Sequence, residues 1–303
     1  MNVSFFGSGR GAELPRAGGG RGYADSVTRR PTVPLLVSLA CLLALALTGV
    51  LALASPGIHE RDAAMLHGFV ALDRPRVHGA VDALAHLVDP LPYAAIGLAI
   101  VVVALARRLV WRAGAVVALL AVTGASTQII KHATAQPRFE AWLGTDQIGP
   151  ASWPSGHSTA AMTVALCAVL VAPPSLRVAV ALLGGAFAAA VGYAVLVLGS
   201  HFPSDVLGGF LMAGMWTAFA VAVLRVVERR PAESRADSEE ASVRDRAVGI
   251  GVAAGAILAA AVVAVAPRDQ IALYASERPT LAAGALVIAA VAGALSAGLA
   301  RAA

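Results

Sequence analysis

VAVALLGGAFAAAVGYAVLVL, residues 178–198, runs 21 residues without a charged side chain, and GSHFPSD follows at 199–205. About 20 apolar residues in an α-helix cross a hydrocarbon layer roughly 30 Å thick. A histidine and a carboxylate directly after such a run put chemistry at the mouth of a membrane span. Uncharged runs of the same kind recur at Pro34–Ala54, Pro92–Ala106, Ala113–Ile130, Val248–Ala266 and Leu281–Ala300. Two more, His157–Ala172 and Asp205–Val227, begin at polar residues. The expected fold class is therefore all-α: a polytopic membrane helical bundle with a six-span core over 33–227 and a C-terminal two-span hairpin over 248–303. Composition agrees, with 58% hydrophobic and 14% charged residues in a chain of 303. A soluble domain carries nearly twice that charge.

The segments between the spans differ sharply from them. Residues 1–32, rich in Gly and Arg, read as a disordered cytoplasmic tail. Arg29 and Arg30 precede an apolar run ending in Ala52-Leu53-Ala54, similar to a signal-peptidase site. The run is too long for a signal core of about 7–15 residues, so a retained anchor is expected. Residues 228–247 mix acidic and basic side chains with Pro231 and several serines, the composition of a charged cytoplasmic linker. Pro75 splits the loop 55–90 into two amphipathic stretches, 59–72 and 77–88, expected as helices lying in the membrane interface. His78, Asp82 and His86 are spaced four apart there. Val81, Leu84, Leu87 and Val88 share the stretch and no further ligand is evident, so a solvated helix face explains the pattern better than a metal.

The net charge of +5 does not indicate nucleic acid, because no basic face with interleaved aromatics occurs. The basic residues instead sit at span ends. With the N-terminus inside and the spans alternating, 16 of the 23 Lys and Arg fall inside. That orientation makes both termini cytoplasmic and puts segments 131–156 and 199–204 outside. Cys41 and Cys167 lie within apolar spans, where lone thiols are ordinarily packing residues.

Three outside segments carry polar residues to the span mouths. The first is Lys131-His-Ala-Thr-Ala-Gln-Pro-Arg138, and Lys131 is the only lysine of the chain. Where Arg serves everywhere else, one Lys points to a need for a compact ammonium group, although a snorkelling anchor would look the same. The second is Pro154-Ser155-Gly156-His157, opening the fourth span. A Ser-Gly turn leading into a helix leaves backbone N–H groups at the positive dipole end, a geometry that holds phosphate; Ser and Gly are also ordinary helix starters. The third is His201-Phe-Pro-Ser-Asp205, opening the sixth span. Pro203 suits the first helical position, and a carboxylate four residues after a histidine can fold back to Nδ1–H and leave Nε2 free as nucleophile or base. Asp205 could equally serve the helix dipole beside a bystander histidine.

In this order, and on one membrane face, the motifs resemble those of the type 2 phosphatidic acid phosphatase superfamily: Lys-x6-Arg-Pro, then Pro-Ser-Gly-His, then Ser-Arg-x5-His-x3-Asp, on a six-span helical core. The resemblance covers about residues 33–227. It implies an integral-membrane lipid phosphatase, active on a phosphatidate-like or polyprenyl (pyro)phosphate substrate in the bilayer, with no metal or cofactor. It implies that His201 attacks phosphorus to form a phosphohistidine, that Asp205 orients it and that His157 protonates the leaving oxygen. Lys131, Arg138, Ser155 and the Gly156 amide would hold the phosphoryl oxygens, on the extracytoplasmic face of the cell membrane. Phosphoryl transfer asks for such positioning and positive charge around three equatorial oxygens.

Two positions depart from the pattern. Phe139 replaces the final Pro of the first motif. Val195, preceded by Ala194, stands where the third motif has its Arg, so one phosphate-clamping guanidinium is missing. A lipid phosphotransferase using the same two histidines and Asp205, or a catalytically impaired member, are the alternatives this raises.

Overall fold

The computed structural model describes residues 31–228, Ser276 and residues 278–302. Residues 1–30 of the tail expected over 1–32, all but the first residue of the linker, and the span Val248–Ala266 lie outside them. Every other uncharged run is a helix. The helices are α1 (Thr32–Ala54), α2 (Pro56–Val70), α3 (Pro75–His86), α4 (Pro90–Ala106), α5 (Val110–Ala133), α6 (Gly156–Val171), α7 (Arg177–Val197), α8 (Pro203–Val227) and α9 (Pro279–Ala302). No strand occurs among the described residues. Proline opens α2, α3, α4 and α8 at the first turn, where its missing N–H costs nothing and its fixed φ is already helical.

Five of these helices, α1, α5, α7, α8 and α9, are long and apolar enough to cross a membrane. Helices α3 and α4 meet at a 55° bend and make a sixth crossing if taken as one broken span. The protein is thus a multi-pass membrane bundle. Leu36, Leu43, Leu47 and Val50 of α1, with Leu98 and Val102 of α4 and Val117 and Ile129 of α5, point outward uncovered, as lipid-facing side chains must.

Helix α6 is the central post, packed by α4, α5, α7, α8 and α9, and most of its 16 residues are buried. Its small and β-branched side chains leave no polar face, which suits a helix surrounded by others rather than by water. Helix α1 lies along α8, tied by the Ser38 hydroxyl donating to the Met215 carbonyl at 2.9 Å. Trp216 Nε1–H of α8 donates to Ser126 Oγ of α5 at 3.1 Å. Helix α9 packs chiefly on α7, where Tyr193 donates its hydroxyl to the Ala285 carbonyl at 2.6 Å.

Helix α2 differs from the expected interfacial helix. Its apolar face, Ala63, Leu66 and Phe69, is buried against protein, with Phe69 stacked on Tyr193 at 5.8 Å between ring centroids. The ends of α7 and α8 and the side of α9 supply the partners, so this face has no need of lipid. Helix α3 is the more exposed of the two: His78 pairs with Asp73, and His86 Nδ1 meets the Asp82 carbonyl at 2.8 Å.

Candidate active site

All three polar segments converge on one end of the bundle. Helix α5 ends there with Lys131, α6 begins there after Ser155, and the turn after α7 delivers His201 to the start of α8. The opposite end carries Arg107, Arg112, Arg177, Arg225 and Arg301.

The turn holding His201 has a local cause. Gly199 adopts φ +66°, a left-handed conformation that glycine takes without steric cost. The chain reverses there, with Ser200 N–H donating to the Val195 carbonyl at 2.9 Å and Gly199 N–H to the Leu196 carbonyl at 3.0 Å. This glycine-terminated helix end satisfies carbonyls left open by α7. Phe202 and Pro203 then start α8, and Asp205 in its first turn accepts the Phe202 N–H at 3.0 Å through Oδ2.

The same Oδ2 faces His201 Nδ1 at 3.3 Å, the pairing expected from the four-residue spacing. Its partner oxygen, Oδ1, accepts from Arg138 Nη2. Both His201 and Asp205 are buried. Burial pushes the His201 imidazole below its ordinary value; Asp205 pulls the other way, and nearby Lys131 and His157 add to the lowering. His201 is therefore held neutral at physiological pH, with Nδ1 on the carboxylate and Nε2 unengaged by it.

Ser155 caps α6, its hydroxyl accepting the Ser158 N–H at 3.3 Å, and its own N–H donates to the Asp205 carbonyl at 2.9 Å. That last bond joins the second motif to the third. Ser155 is fully buried, so its hydroxyl serves the helix start. Lys131 Nζ stands 3.9 Å from where a Cβ on Gly156 would be, so the ammonium lies against the open N-terminal turn of α6. His157, partly exposed, turns its Nε2 to Asp89 Oδ1 at 3.2 Å. A cavity of about 340 Å³ between α4, α5 and α6 is lined by Asp89, Tyr93, Thr127, Lys131, Gly156 and His157 among others. A larger cavity, about 510 Å³, lies toward the other end between α4, α6 and α7; apart from Arg107 its lining is apolar, and it holds none of the candidate residues.

Arg138 occupies a position that sequence could not foresee. Its guanidinium is buried over the Phe202 ring, 4.0 Å from the centroid, and donates to Ser152 Oγ at 2.6 Å, Ser204 Oγ at 3.3 Å and Asp205. Asp62 Oδ2 of α2 lies 3.5 Å from Nη1. Only Nε–H finds no partner among the described residues. Asp62 itself is the unforeseen member of the site: its Oδ1 accepts the Ser204 N–H at 2.9 Å and its Oδ2 the Ser204 hydroxyl at 2.5 Å. The available signal was a carboxylate four and seven residues before Leu66 and Phe69, on the face that α2 buries. Asp89, at the start of α4, was likewise unassigned.

Val195 is closed inside the apolar core, 1% exposed, as is Ala194 at 2%. No cation of the third motif takes the place of the missing guanidinium.

Fold and site together define an integral membrane protein with a buried histidine–aspartate centre at one end of a helical bundle. Residues 109–229 match the family model described as the PAP2 superfamily. A crystal structure described as the first transmembrane PAP2 type phosphatidylglycerolphosphate phosphatase from Bacillus subtilis has a similar fold: TM-score 0.51 at 20% identity, over 65% of this chain and 99% of that one. No curated protein sequence matches the chain.

Proposed function

We propose that the protein is a lipid phosphatase that hydrolyses a phosphatidate-like or polyprenyl (pyro)phosphate substrate through a phosphohistidine on His201. The observation that carries this reading is the buried His201–Asp205 pair at 3.3 Å, set at a helix start joined through Ser155 N–H to the first turn of α6. The family match supports it. In the first step Nε2 of neutral His201 forms a bond to phosphorus as the bond to the lipid oxygen breaks, and His157 gives that oxygen its proton. In the second, water attacks the phosphohistidine, His157 takes the water's proton, and inorganic phosphate leaves. Asp205 holds the imidazole tautomer and offsets the positive charge that develops on it. Lys131 and the N–H groups of Gly156 and His157 hold the phosphoryl oxygens, with the free Nε–H of Arg138 as a further donor.

Purified protein in detergent is expected to release inorganic phosphate from at least one of a panel of phosphatidate, phosphatidylglycerolphosphate and polyprenyl phosphates, with His201→Ala as the control. A new phospholipid in place of free phosphate would identify a phosphotransferase instead. Equal phosphate release by His201→Ala would remove the mechanism.

The excess of arginine at the end opposite the site supports an extracytoplasmic active site. Asp146, exposed in the loop between α5 and α6, is the place to test it. A cysteine there is expected to react with an impermeant thiol reagent in intact cells, while buried Cys41 and Cys167 stay silent. Labelling only after permeabilisation would reverse the orientation.

A further inference from the structure

Given the phosphatase reading above, we infer that Asp62 is a positioning residue for His201, acting through Ser204, Arg138 and Asp205. Asp62 reaches this cluster from α2, a helix outside the match to the family model. It is 6% exposed, a depth at which a carboxylate is costly unless paired and hydrogen-bonded. Its pairing is complete: one oxygen takes the Ser204 N–H, and the other takes the Ser204 hydroxyl and faces Arg138 at 3.5 Å. Ser204 and Asp205 are adjacent in the first turn of α8, so fixing Ser204 fixes the turn that aims Asp205 at His201. Arg138, meanwhile, is divided between two carboxylates.

The charge balance gives this arrangement a chemical effect. Two ionised carboxylates and one guanidinium leave one net negative charge beside the imidazole, which favours the cationic phosphohistidine. Protonating Asp62 cancels that charge and releases Arg138 wholly to Asp205, weakening Asp205's hold on Nδ1–H. A structural staple between α2 and α8 would have no such dependence on charge. Burial raises the Asp62 carboxyl to about 6; Ser204 and Arg138 pull it down, while Asp205 pushes it up. The remaining neighbours do not compete for it. His59, one turn back on α2, is paired with Glu140 at 3.0 Å. Tyr193 of α7 gives its hydroxyl to Ala285, α9 meets α2 through Leu281 against Gly68 and Gly284 against Met65, and α1 contains no charged residue. Burial also pushes the His201 imidazole below the ordinary histidine value.

The test compares wild type and Asp62→Asn on short-chain phosphatidate in detergent micelles from pH 5 to 8. Taking the ratio of their kcat values cancels the titration of the substrate and of every group they share. The expected ratio rises about tenfold between pH 5 and pH 7, as a group titrating near 6 goes from about one-tenth to about nine-tenths ionised; KM changes little. A ratio independent of pH overturns the inference. If Asp62→Asn does not fold, Ser204→Ala serves: it removes the hydroxyl that lowers the Asp62 carboxyl, so the acid limb of kcat must move to higher pH. An unmoved limb overturns the inference equally. Wild-type protein that releases no phosphate from any lipid, at any pH, strikes the phosphatase reading itself, whereas active protein with a flat ratio strikes only the role of Asp62.

Discussion

His201→Ala is expected to abolish phosphate release, a loss on the order of 10⁶ in kcat if the side chain is the attacking group. Nothing else at the site can replace it. Lys131 holds its ammonium against the start of α6, and His157 is turned toward Asp89. Asp205→Asn should be milder, about 10⁴ in kcat, because it leaves the nucleophile but loses the tautomer and the charge that favour the imidazolium. The structure adds a reason for damage beyond tautomer control. Asp205 Oδ2 also accepts the Phe202 N–H, and Oδ1 accepts from Arg138, so an amide group must present an N–H to one of these donors. Quench-flow with radiolabelled lipid phosphate should trap acid-labile, base-stable label on wild-type protein and none on His201→Ala. Label retained by His201→Ala would move the nucleophile elsewhere.

The second large effect is expected at Gly209. A Cβ there would stand 2.8 Å from both the Ser155 carbonyl oxygen and the Thr159 nitrogen, and 2.9 Å from Ser158 Cβ. Two of these are backbone atoms of the α6 start and cannot swing aside. Gly209→Ala must therefore separate α8 from α6, just where Ser155 N–H meets the Asp205 carbonyl. Overpacking of this kind costs about 1–3 kcal/mol. The catalytic cost should be larger in proportion, because a shift near 1 Å between His201 and the phosphate-holding turn can lose about 10² in rate. The expected result is a folded protein of lowered thermal stability with kcat down about a hundredfold. Gly114, by contrast, has nothing within 4 Å of its Cβ position, so Gly114→Ala should match wild type in both measurements. A Gly209→Ala protein as active as Gly114→Ala would show that the two helices tolerate separation.

The helices were legible because membrane spans write themselves in long uncharged runs. The stretch 178–198 became Arg177–Val197, and 113–130 became the middle of Val110–Ala133. Within the site, the His201–Asp205 contact was legible because it is local: four residues around one helix start fix which groups meet. Arg138 was only half legible. Its motif spacing suggested phosphate, yet its Nη groups are taken by Ser152 and, 66 and 67 residues away, by Ser204 and Asp205. Asp62 shows the same limit more fully. It lies 142 residues from Ser204, and periodicity alone distinguishes neither which face of α2 is covered nor by what. Val195 looked like a vacancy beside phosphate, but its side chain is packed in the core, so Val195→Arg would have to bury a cation before it could help.

At the end of the bundle away from the site, arginines close helix ends. Arg107 donates to the Val171 carbonyl, Arg112 to the Leu170 carbonyl at 2.8 Å and to Glu228 at 3.3 Å, and Arg225 to the Ala302 carbonyl at 2.7 Å. Each supplies donors to backbone oxygens that the end of a helix leaves unpaired. Under the proposed orientation, the side chains that would steer the nascent chain are also fasteners of the finished bundle. Insertion and endurance are written in the same letters. A charge reversal at Arg112, made to turn the protein over in the membrane, would loosen the join between α5, α6 and α8 whichever way the protein faced.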